Sequence, residues 1–266
     1  MNRTAWLRQR RASVEAAYDL EAPAYDEHPY PTVFHSRFVD RLLTTCRAGG
    51  LVLDAPCGTG GYFARVSASG RRVVGIDQSA GMLAKARERG TAERLEHVGL
   101  QEMAFDAEFD AAMTIDAMEN VPPEDWPVVV ANVRRALKPG GHYYLTVEET
   151  DDADIGEAFA ALQAGGLPVV RGEVIEGDVA GYHFYPGRER ALAWLSAAGF
   201  EPVHEDFEQH DGWGYRHLLL RSRGRQPPRG LAGGSPAVPK LAASTAERTS
   251  ISHTGGDDER RDHQSG

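Results

Sequence analysis

The chain alternates between short apolar runs and stretches whose apolar residues recur three or four positions apart. Short apolar runs bounded by glycine or polar residues are typical of buried strands, and the second pattern is typical of amphipathic helices. The predicted strands span 51–54, 72–76, 93–98, 109–115, 142–148, 200–207 and 213–221, and the helices between them span 60–69, 79–89, 123–136 and 188–198. This alternation predicts an α/β fold, a doubly wound parallel sheet covered by helices on both faces.

The two ends of the chain differ from this central part, 49–222. Residues 1–48 begin with a helical pattern over 5–18, and the stretch that follows is interrupted by prolines. Residues 223–266 are dominated by Pro, Gly, Ser, Thr, Ala and charged residues. Because such a tail offers too little apolar surface to offset its ordering entropy, we predict that it is disordered.

The pattern also changes directly after the fifth predicted strand, over 151–186. This region contains a predicted helix, 153–164, and two β-rich runs, 169–176 and 179–185. Gly177 and Asp178 separate the two runs, and such a pair is typical of a hairpin turn. We therefore predict a helix and a hairpin inserted after strand 5, in a position suited to a substrate pocket.

A glycine-rich turn follows the first predicted strand. The chain reads Leu51-Val52-Leu53-Asp54-Ala55-Pro56-Cys57-Gly58-Thr59-Gly60-Gly61, and the next strand ends as Gly75-Ile76-Asp77. Without Cβ atoms, the glycines of the turn let the backbone bend sharply and let a ligand approach bare N–H groups at a helix start. Asp77 is placed to accept two hydrogen bonds from a ribose diol, so the pattern indicates a nucleotide-type cofactor.

The rival interpretation is a nicotinamide or flavin dinucleotide fold, which carries G-x-G-x-x-G and an acid about 20 residues further on. Phe63 stands where the third glycine belongs, and Asp54 precedes the loop. An acid there would repel a pyrophosphate, but it suits a ligand with an ammonium group. The ligand that combines an amino-acid end, a ribose and an adenine is S-adenosylmethionine.

The glycine turn is one of three motifs that belong together. They are Asp54-Ala55-Pro56-Cys57-Gly58-Thr59-Gly60, Gly75-Ile76-Asp77-Gln78-Ser79-Ala80-Gly81-Met82-Leu83 and Leu137-Lys138-Pro139-Gly140-Gly141. With these motifs, roughly residues 13–222 resemble the class I, Rossmann-like S-adenosylmethionine-dependent methyltransferases of the small-molecule type. The resemblance implies a mostly parallel seven-stranded sheet with the last strand antiparallel. Pro56 departs from the glycine of many members, but proline fixes φ near −65° and the loop can still form.

The resemblance also implies which residues hold the cofactor. Asp54 would bind the methionine amino group, directly or through water, and the N–H groups around Gly58 and Gly60 would meet the methionine portion. Asp77 would hold the ribose. The positions expected to contact the cofactor are Tyr18, Asp54, Pro56, Cys57, Gly58, Gly60, Asp77, Gln78, Met82, Leu100, Gln101 and Asp116.

Two further segments take roles from the same resemblance. The backbone of Leu100 and the side chain of Gln101 are expected at the adenine, although Gly99 replaces an acid or amide that the family often has. Family members often carry a Tyr-Asp pair in an amino-terminal segment that closes over the cofactor. Tyr18 and Tyr25 are the positions that could do so, which makes 1–48 a predicted helical lid. The alternative, that both tyrosines only pack helix against sheet, stays open.

Methyl transfer from a sulfonium is an in-line displacement, and holding donor and nucleophile in line can supply most of the barrier reduction. A base matters only where the acceptor is protonated at working pH. The candidate bases are Glu119, His183 and Glu148, followed by His217 and His210. Strand alternation predicts Tyr182 and Phe184 on one face of the hairpin and His183 on the other. A lone histidine in a strand is more often structural, so both roles of His183 stay open.

Charge and composition argue against several classes of protein. The 266 residues carry a formal net charge of −10, so no nucleic-acid partner is expected. No stretch approaches the ~20 apolar residues of a membrane span, and we expect a soluble, cytoplasmic protein with no membrane partner. Cys46 and Cys57 are too few for a disulfide framework, and the ten histidines lack metal-binding spacing, so we predict no metal site.

The leading hypothesis is a methyltransferase that acts on an O or N atom of a small-molecule acceptor, because the predicted core has no appended recognition domain. The alternative is a methyltransferase-like protein that binds S-adenosylmethionine or S-adenosylhomocysteine without methylating, as a scaffold or as the catalyst of another reaction. A dinucleotide oxidoreductase survives only if the missing third glycine is excused. Neither the acceptor nor the oligomeric state follows from the sequence.

Overall fold

The computed structural model describes residues 1–27, 32–175 and 181–224. The helices of this part are α1 Arg3–Glu21, α2 Val33–Thr45, α3 Phe63–Ala68, α4 Ala80–Arg89, α5 Trp126–Ala136, α6 Asp152–Ala164 and α7 Arg188–Ala197. Its strands are β1 Leu51–Asp54, β2 Arg72–Asp77, β3 Arg94–His97, β4 Phe109–Thr114, β5 Leu137–Thr150, β6 Glu173–Ile175, β7 Tyr182–Phe184, β8 Phe200–Gln209 and β9 Trp213–Ser222. The predicted turn at 177–178 and the predicted disorder from residue 225 onward lie outside the described residues.

Seven strands form one sheet in the order β3-β2-β1-β4-β5-β9-β8. β1 pairs in parallel with β2 and β4, whereas β9 is antiparallel to both of its neighbours, β5 and β8. All four residues of β1 are buried, as expected for a central strand covered on both faces. The predicted doubly wound α/β sheet, mostly parallel with its last strand antiparallel, is confirmed.

Different helices cover the two faces of the sheet. On one face, α2 buries Phe38, Val39 and Leu42 in a cluster that includes Tyr144 of β5. On the other face, α5 and α7 pack against the sheet in a second cluster that includes Trp126. α2 and α5 bury residues three and four positions apart, which is why their sequences show helical periodicity. No helix among the described residues is both long enough and apolar enough to cross a membrane.

The predicted insert follows β5 in the structure. α6 begins directly after β5, and β6 and β7 form an antiparallel pair in which Val174 lies opposite His183. Tyr182 and Phe184 are fully buried in the core cluster of α5 and α7. His183 lies on the other face of β7, as the alternation predicts.

Several element boundaries differ from the predicted ones, including the starts of α5 and β5. α5 begins at Trp126 rather than at 123, because the chain makes a hydrogen-bonded turn before it becomes helical. β5 begins at Leu137 rather than at 142, and a bulge separates its first pairing with β4 from the rest. Residues 139–141 therefore lie in this bulge, where Gly140 has φ of +78°, a left-handed conformation that favours glycine.

The amino-terminal helix α1 spans from the insert to α4. Near its start, Trp6 and Leu7 pack against Val169, which lies between α6 and β6. Near its end, Asp19 accepts hydrogen bonds from Ser79 and Gly81 at the beginning of α4. The middle of α1 is thereby held over the carboxyl ends of the first strands.

Candidate active site

A cavity of about 440 Å³ lies at the carboxyl ends of β1, β2 and β4. Ligands of doubly wound sheets bind at such strand ends, and small-molecule pockets span about 300–1,000 Å³. Of the twelve positions expected at the cofactor, those that line the cavity are Tyr18, Asp54, Pro56, Cys57, Gly58, Asp77, Gln78, Met82, Leu100, Gln101 and Asp116. Gly60 does not line it, so the fold brings together all but one of these positions.

Two buried carboxylates, Asp54 and Asp77, end β1 and β2 at the cavity wall. Asp77 accepts hydrogen bonds from the N–H groups of Gly58, at 2.9 Å, and Ser79, at 2.8 Å. Oδ2 of Asp54 is buried and has no hydrogen-bond partner among the described residues. Burial raises the pKa of both carboxyl groups, and the charge of Asp77 raises the pKa of Asp54 further. Asp54 therefore offers a buried acceptor that a ligand with N–H donors would satisfy.

The turn between β1 and α3 corrects one expectation. α3 begins at Phe63 rather than at 60, so the N–H groups of Gly58 and Gly60 belong to a turn and not to a helix start. The first donates to Asp77 and the second to the carbonyl of Cys57, because a buried turn has to satisfy its own donors. These two N–H groups are thus engaged within the protein rather than left for the methionine portion of a ligand.

Glycine stands at positions 58 and 60 for two different structural reasons. Gly58 has φ of +51° and no atom within 4 Å of an added Cβ, so it leaves open space at the cavity wall. An added Cβ on Gly60 would lie 2.5 Å from the ring of Phe63. Gly60 is therefore required by the packing of α3 rather than by a ligand.

The loop after β3 carries Leu100 and Gln101 to the cavity. Nδ2 of Asn132, a buried residue of α5, donates to the carbonyl oxygens of these two residues at 3.0 and 2.9 Å. Nε2 of Gln101 donates to Asp125 at 3.2 Å. Asn132 thus fixes the loop, although no motif singles it out. A polar residue on the apolar face of α5 is the signal that would have found it.

The last turn of α1 contributes Tyr18 to the cavity wall, beside Tyr25. The hydroxyl of Tyr18 accepts a hydrogen bond from Asn120 at 3.1 Å, and the two tyrosine rings meet edge to face with centroids 6.2 Å apart. Burial raises the pKa of Tyr18 well above its usual value and that of Tyr25 to about 12, so both hydroxyls stay protonated. Both tyrosines lie at the cavity, and the predicted closing motion stays a prediction.

Ion pairs and hydrogen bonds hold the amino-terminal segment over the cavity. These contacts join Arg3 to Glu124 and Glu173, Arg11 to Asp125, Asp19 to Ser79 and Gly81, and Asp26 to Thr59 and Arg89. Arg11, Asp26 and Arg89 also line the cavity. No motif predicts these residues, because each contact joins segments that are far apart in the sequence.

Asp116, just after β4, has φ of +45°, a left-handed conformation that aspartate adopts more readily than most residues. The hydroxyl of Thr146 accepts a hydrogen bond from the N–H of Asp116 at 2.7 Å and donates one to Oδ1 of Asp116 at 3.2 Å. Nε2 of His35 lies 3.2 Å from the same Oδ1. The carboxylate at the cavity wall is therefore held by β5 and α2 together.

The three predicted catalytic residues, Glu119, Glu148 and His183, lie near one another. Nδ1 of His183 is 3.3 Å from Oε2 of Glu148 and 3.0 Å from the hydroxyl of Tyr185. Burial raises the pKa of Glu119 well above its usual value, and the charges of Glu148 and Asp116 raise it further. None of the three is among the residues that line the cavity. The fold thus groups them behind its wall, and their role as bases stays a prediction.

The other two histidine candidates also lie off the cavity wall. His217 is fully buried, with Nδ1 2.7 Å from the hydroxyl of Tyr144 and Nε2 3.1 Å from Oε2 of Glu208. Burial, and then the neighbouring His35, lower the pKa of His217 to about 4. His210 stacks on Trp213, with ring centroids 4.3 Å apart. Neither histidine faces a ligand in the cavity directly.

Cys57 lies in the cavity wall and is buried. Burial raises the pKa of its thiol far above the usual value, so the thiolate form is suppressed. An added Cβ on Gly75 would lie 2.8 Å from its sulfur, which shows how closely β2 packs against it. Cys57 is a packing residue of the wall rather than a nucleophile.

Comparison with known proteins identifies the family. A family model described as a methyltransferase domain matches residues 52–141, which include Asp54, Asp77 and Asp116. The malonyl-[acyl-carrier protein] O-methyltransferase of Erwinia billingiae is 30% identical over 178 residues, 65% of this chain and 68% of that protein. The chain belongs to the S-adenosylmethionine-dependent methyltransferases. The predicted family, enzyme class and cofactor are thereby confirmed.

Two further similarities extend over more of this methyltransferase. The demethylmenaquinone methyltransferase of Clavibacter sepedonicus is 28% identical over 255 residues, 90% of this chain and 98% of that protein. The structure of 1,6-didemethyltoxoflavin-N1-methyltransferase from Burkholderia thailandensis, with bound S-adenosylhomocysteine, has a TM-score of 0.58 at 18% identity. That match covers 82% of this chain and 90% of the other, and it shows a shared fold.

The residues at the cavity fit S-adenosylmethionine. The unpartnered buried oxygen of Asp54 suits an ammonium group, and a carboxylate such as Asp77 retains acceptor capacity after its two N–H bonds. The open space at Gly58 lets a ligand approach the backbone closely. Asp54 would thus hold the amino group and Asp77 the ribose, as the sequence predicts.

Proposed function

We propose that this methyltransferase transfers the methyl group of S-adenosylmethionine to an oxygen or nitrogen atom of a small-molecule acceptor. The bound cofactor supplies an electrophilic methyl group on a sulfonium. The observation that carries the proposal is the acidic side of the cavity, where Asp116 lies on the wall and Glu119 and Glu148 are buried behind it. The chain's own contribution is to hold the acceptor in line and to accept its proton.

The charge of this side favours a particular class of acceptor. Ionised carboxylates accept hydrogen bonds, so they bind a hydroxyl, a phenol or an ammonium group and repel a carboxylate. The two arginines of the cavity wall, Arg11 and Arg89, are paired with Asp125 and Asp26. Positive charge at the wall is therefore already neutralised, which supports an uncharged or cationic acceptor.

The relatives do not select an acceptor for this chain. One is named for malonyl-[acyl-carrier protein] and another for demethylmenaquinone, and these two acceptors differ in charge and size. A malonyl group ends in a carboxylate, and the acidic side of this cavity opposes such a group. The acceptor class is therefore argued from the site itself.

The proton of a hydroxyl or ammonium acceptor needs a receiving group. Asp116 is the carboxylate of the acidic side that lines the cavity, so it is placed to accept the proton first. Glu148 and His183 can take it only through Asp116 or through water, because they do not line the cavity. Glu119 keeps its own proton, because burial raises its pKa. Asp116→Asn should therefore lower kcat more than KM.

The decisive experiment follows S-adenosylhomocysteine formation with matched acceptors, such as tyramine, catechol and carboxylic acids of similar skeleton. We expect turnover with hydroxyl or amine acceptors and none with the acids. Asp40→Asn, a change at an exposed residue of α2, is the control for Asp116→Asn. Turnover with the acids alone would refute the acceptor class. Cofactor binding without turnover on any acceptor would favour the non-methylating alternative.

A further inference from the structure

α2, β8 and β9 bring together three side chains that are far apart in the sequence: His35, Glu208 and His217. One nitrogen of each histidine and one oxygen of the glutamate all lie within 4.8 Å of one another, and all three residues are buried. Histidine spacing along the chain cannot reveal this cluster, because one ligand comes from the amino-terminal part and two from the last strands. The cluster therefore requires its own explanation.

Two shorter distances join members of this cluster to each other and to Asp116. Nε2 of His217 lies 3.1 Å from Oε2 of Glu208, and Nε2 of His35 lies 3.2 Å from Oδ1 of Asp116. Neighbouring ligands of a tetrahedral ion bound at about 2.0–2.1 Å are about 3.3 Å apart. The His217–Glu208 pair is thus already spaced as two corners of a tetrahedron, and a nitrogen of His35, within 4.8 Å of both, has to approach them only modestly.

Hydrogen bonds from a surrounding layer orient these side chains. Nδ1 of His217 is 2.7 Å from the hydroxyl of Tyr144. Oγ1 of Thr32 lies 3.0 Å from Nδ1 of His35 and donates to Oε2 of Glu208 at 3.1 Å. Metal-binding histidines almost always engage their second nitrogen in this way, which fixes the ring orientation.

The charge balance of the cluster also favours a cation. In the part of the chain that the structure describes, the ion pairs of Asp116 and Glu208 are formed with histidines: His35 for the first, and His210 and His217 for the second. A histidine carries no permanent positive charge. Two largely buried carboxylates thus lack an arginine or lysine, and burying a charge without a compensating one is costly.

We infer that His35, Glu208 and His217 bind one divalent transition-metal ion, for which Zn²⁺ is the best chemical match. Imidazole nitrogens and carboxylate oxygens are common zinc ligands. Three protein ligands leave the fourth tetrahedral position to water, and the ion ties α2 to the last two strands of the sheet. His35, held by the ion, in turn holds Asp116 at the cavity wall. The proposal does not depend on the acceptor proposed above.

The test uses full-length, tag-free protein that has been stripped with a chelator and given Zn²⁺ alone as the probe. Elemental analysis after dialysis gives the stoichiometry, and competition with a chromophoric chelator gives the affinity. We expect one tightly bound equivalent. His217→Gln and Glu208→Gln should weaken binding by at least about 100-fold, and Tyr144→Phe, which keeps every ligand, by about 10-fold.

His142→Gln is the matched control, because it removes a histidine from the same sheet. On β5, His142 lies four residues before Thr146, the partner of His217 on β9, which is about 13 Å along the strand. Its zinc affinity should equal that of the unchanged protein. Circular dichroism and calorimetric S-adenosylmethionine binding show that each variant is folded, and they keep failure of this proposal distinct from failure of the proposed function.

Three outcomes decide the proposal. Loss of the bound equivalent in folded His217→Gln and Glu208→Gln, with retention in His142→Gln, supports it, as do the visible bands of tetrahedral Co²⁺ in the unchanged protein. Equal binding in all variants overturns it, because the ion would then lie elsewhere on the chain. No tight binding to the folded, unchanged protein also overturns it and leaves an ion-free hydrogen-bonded cluster.

Discussion

The β1–β2 side of the cavity and its acidic β4–β5 side are assembled in different ways. On the first side, Asp54, Gly58 and Asp77 belong to one strand–turn–helix–strand unit, and Asp77 bonds to the turn directly. On the second side, Asp116 is held by Thr146 and His35, which come from distant parts of the chain. Local motifs thus specify the first side, where we expect the cofactor, whereas long-range packing specifies the second side, where we propose that the acceptor binds.

The largest expected effect tests the first half of this comparison. Asp77→Asn should weaken S-adenosylmethionine binding by about 2–3 kcal/mol, because it removes a charged acceptor. Calorimetric titration measures the loss. Glu148→Gln, on the acidic side, is the matched change and should alter the affinity by less than about 0.5 kcal/mol. Equal losses in the two variants would show that cofactor binding is not confined to the β1–β2 side.

Asp54→Asn should have two opposite effects. S-adenosylmethionine affinity should fall by about 1.5–2 kcal/mol, because the ammonium group loses its anionic partner. The unloaded protein should become more stable near pH 8, since burial and the charge of Asp77 raise the pKa of Asp54 and make its ionised form unfavourable. Urea unfolding with and without cofactor measures both. A variant that loses affinity without gaining stability would contradict this account of Asp54.

Glu119→Gln should change stability without changing cofactor affinity. Because burial and the charges of Glu148 and Asp116 raise the pKa of Glu119, the folded state keeps this proton at pH values where the unfolded chain has lost it. Stability contributed by the protonated group is therefore complete below the usual value of 4.5 and is lost as pH rises through the raised pKa. The variant should match the unchanged protein near pH 4 and exceed it by about 1 kcal/mol near pH 8.

Unfolding by urea across this pH range checks the sign. Glu88→Gln is the control, because Glu88 is an exposed residue of α4 and should leave the pH dependence unchanged. The same pH slope in Glu119→Gln and the unchanged protein would mean that Glu119 is not the group responsible.

The fold and the cofactor side could be predicted because their determinants are local. Buried strands and amphipathic helices leave periodic patterns, and the turn after β1 carries its glycines and acids in sequence. The start of β5 could not be predicted, because Leu137 pairs with Phe109 of β4 and a bulge separates this pairing from the rest of β5. Asn132 could not either, since its partners, Leu100 and Gln101, lie on another segment.

The acidic side illustrates the same limit. Glu119, Glu148 and His183 are residue types suited to proton transfer, and the fold does group them. Whether a side chain faces the cavity depends on the packing of β5, the insert and the turn at 118–120, which no short motif encodes. Placing Asp116 alone at the wall is therefore a result of tertiary structure.

The smallest expected effect concerns the segment that covers both sides. Arg11→Gln removes the ion pair with Asp125, and cofactor affinity should fall by about 0.5 kcal/mol, with the difference vanishing at high salt. Titrations at two salt concentrations measure it. Arg8→Gln, at an exposed position on α1, should have no effect. A loss that is insensitive to salt would assign Arg11 a direct contact with the ligand instead.

The helix α1 lies across the cavity and is fastened at both ends, by Arg3 near the insert and by Asp19 at α4. If α1 acts as the predicted lid, a ligand beneath it leaves only after some of these contacts break. We therefore expect the residence time of S-adenosylhomocysteine to follow the opening rate of α1 rather than the strength of individual contacts in the cavity. The turnover rate would then be set by the contacts that fasten α1 on the outer surface of the molecule.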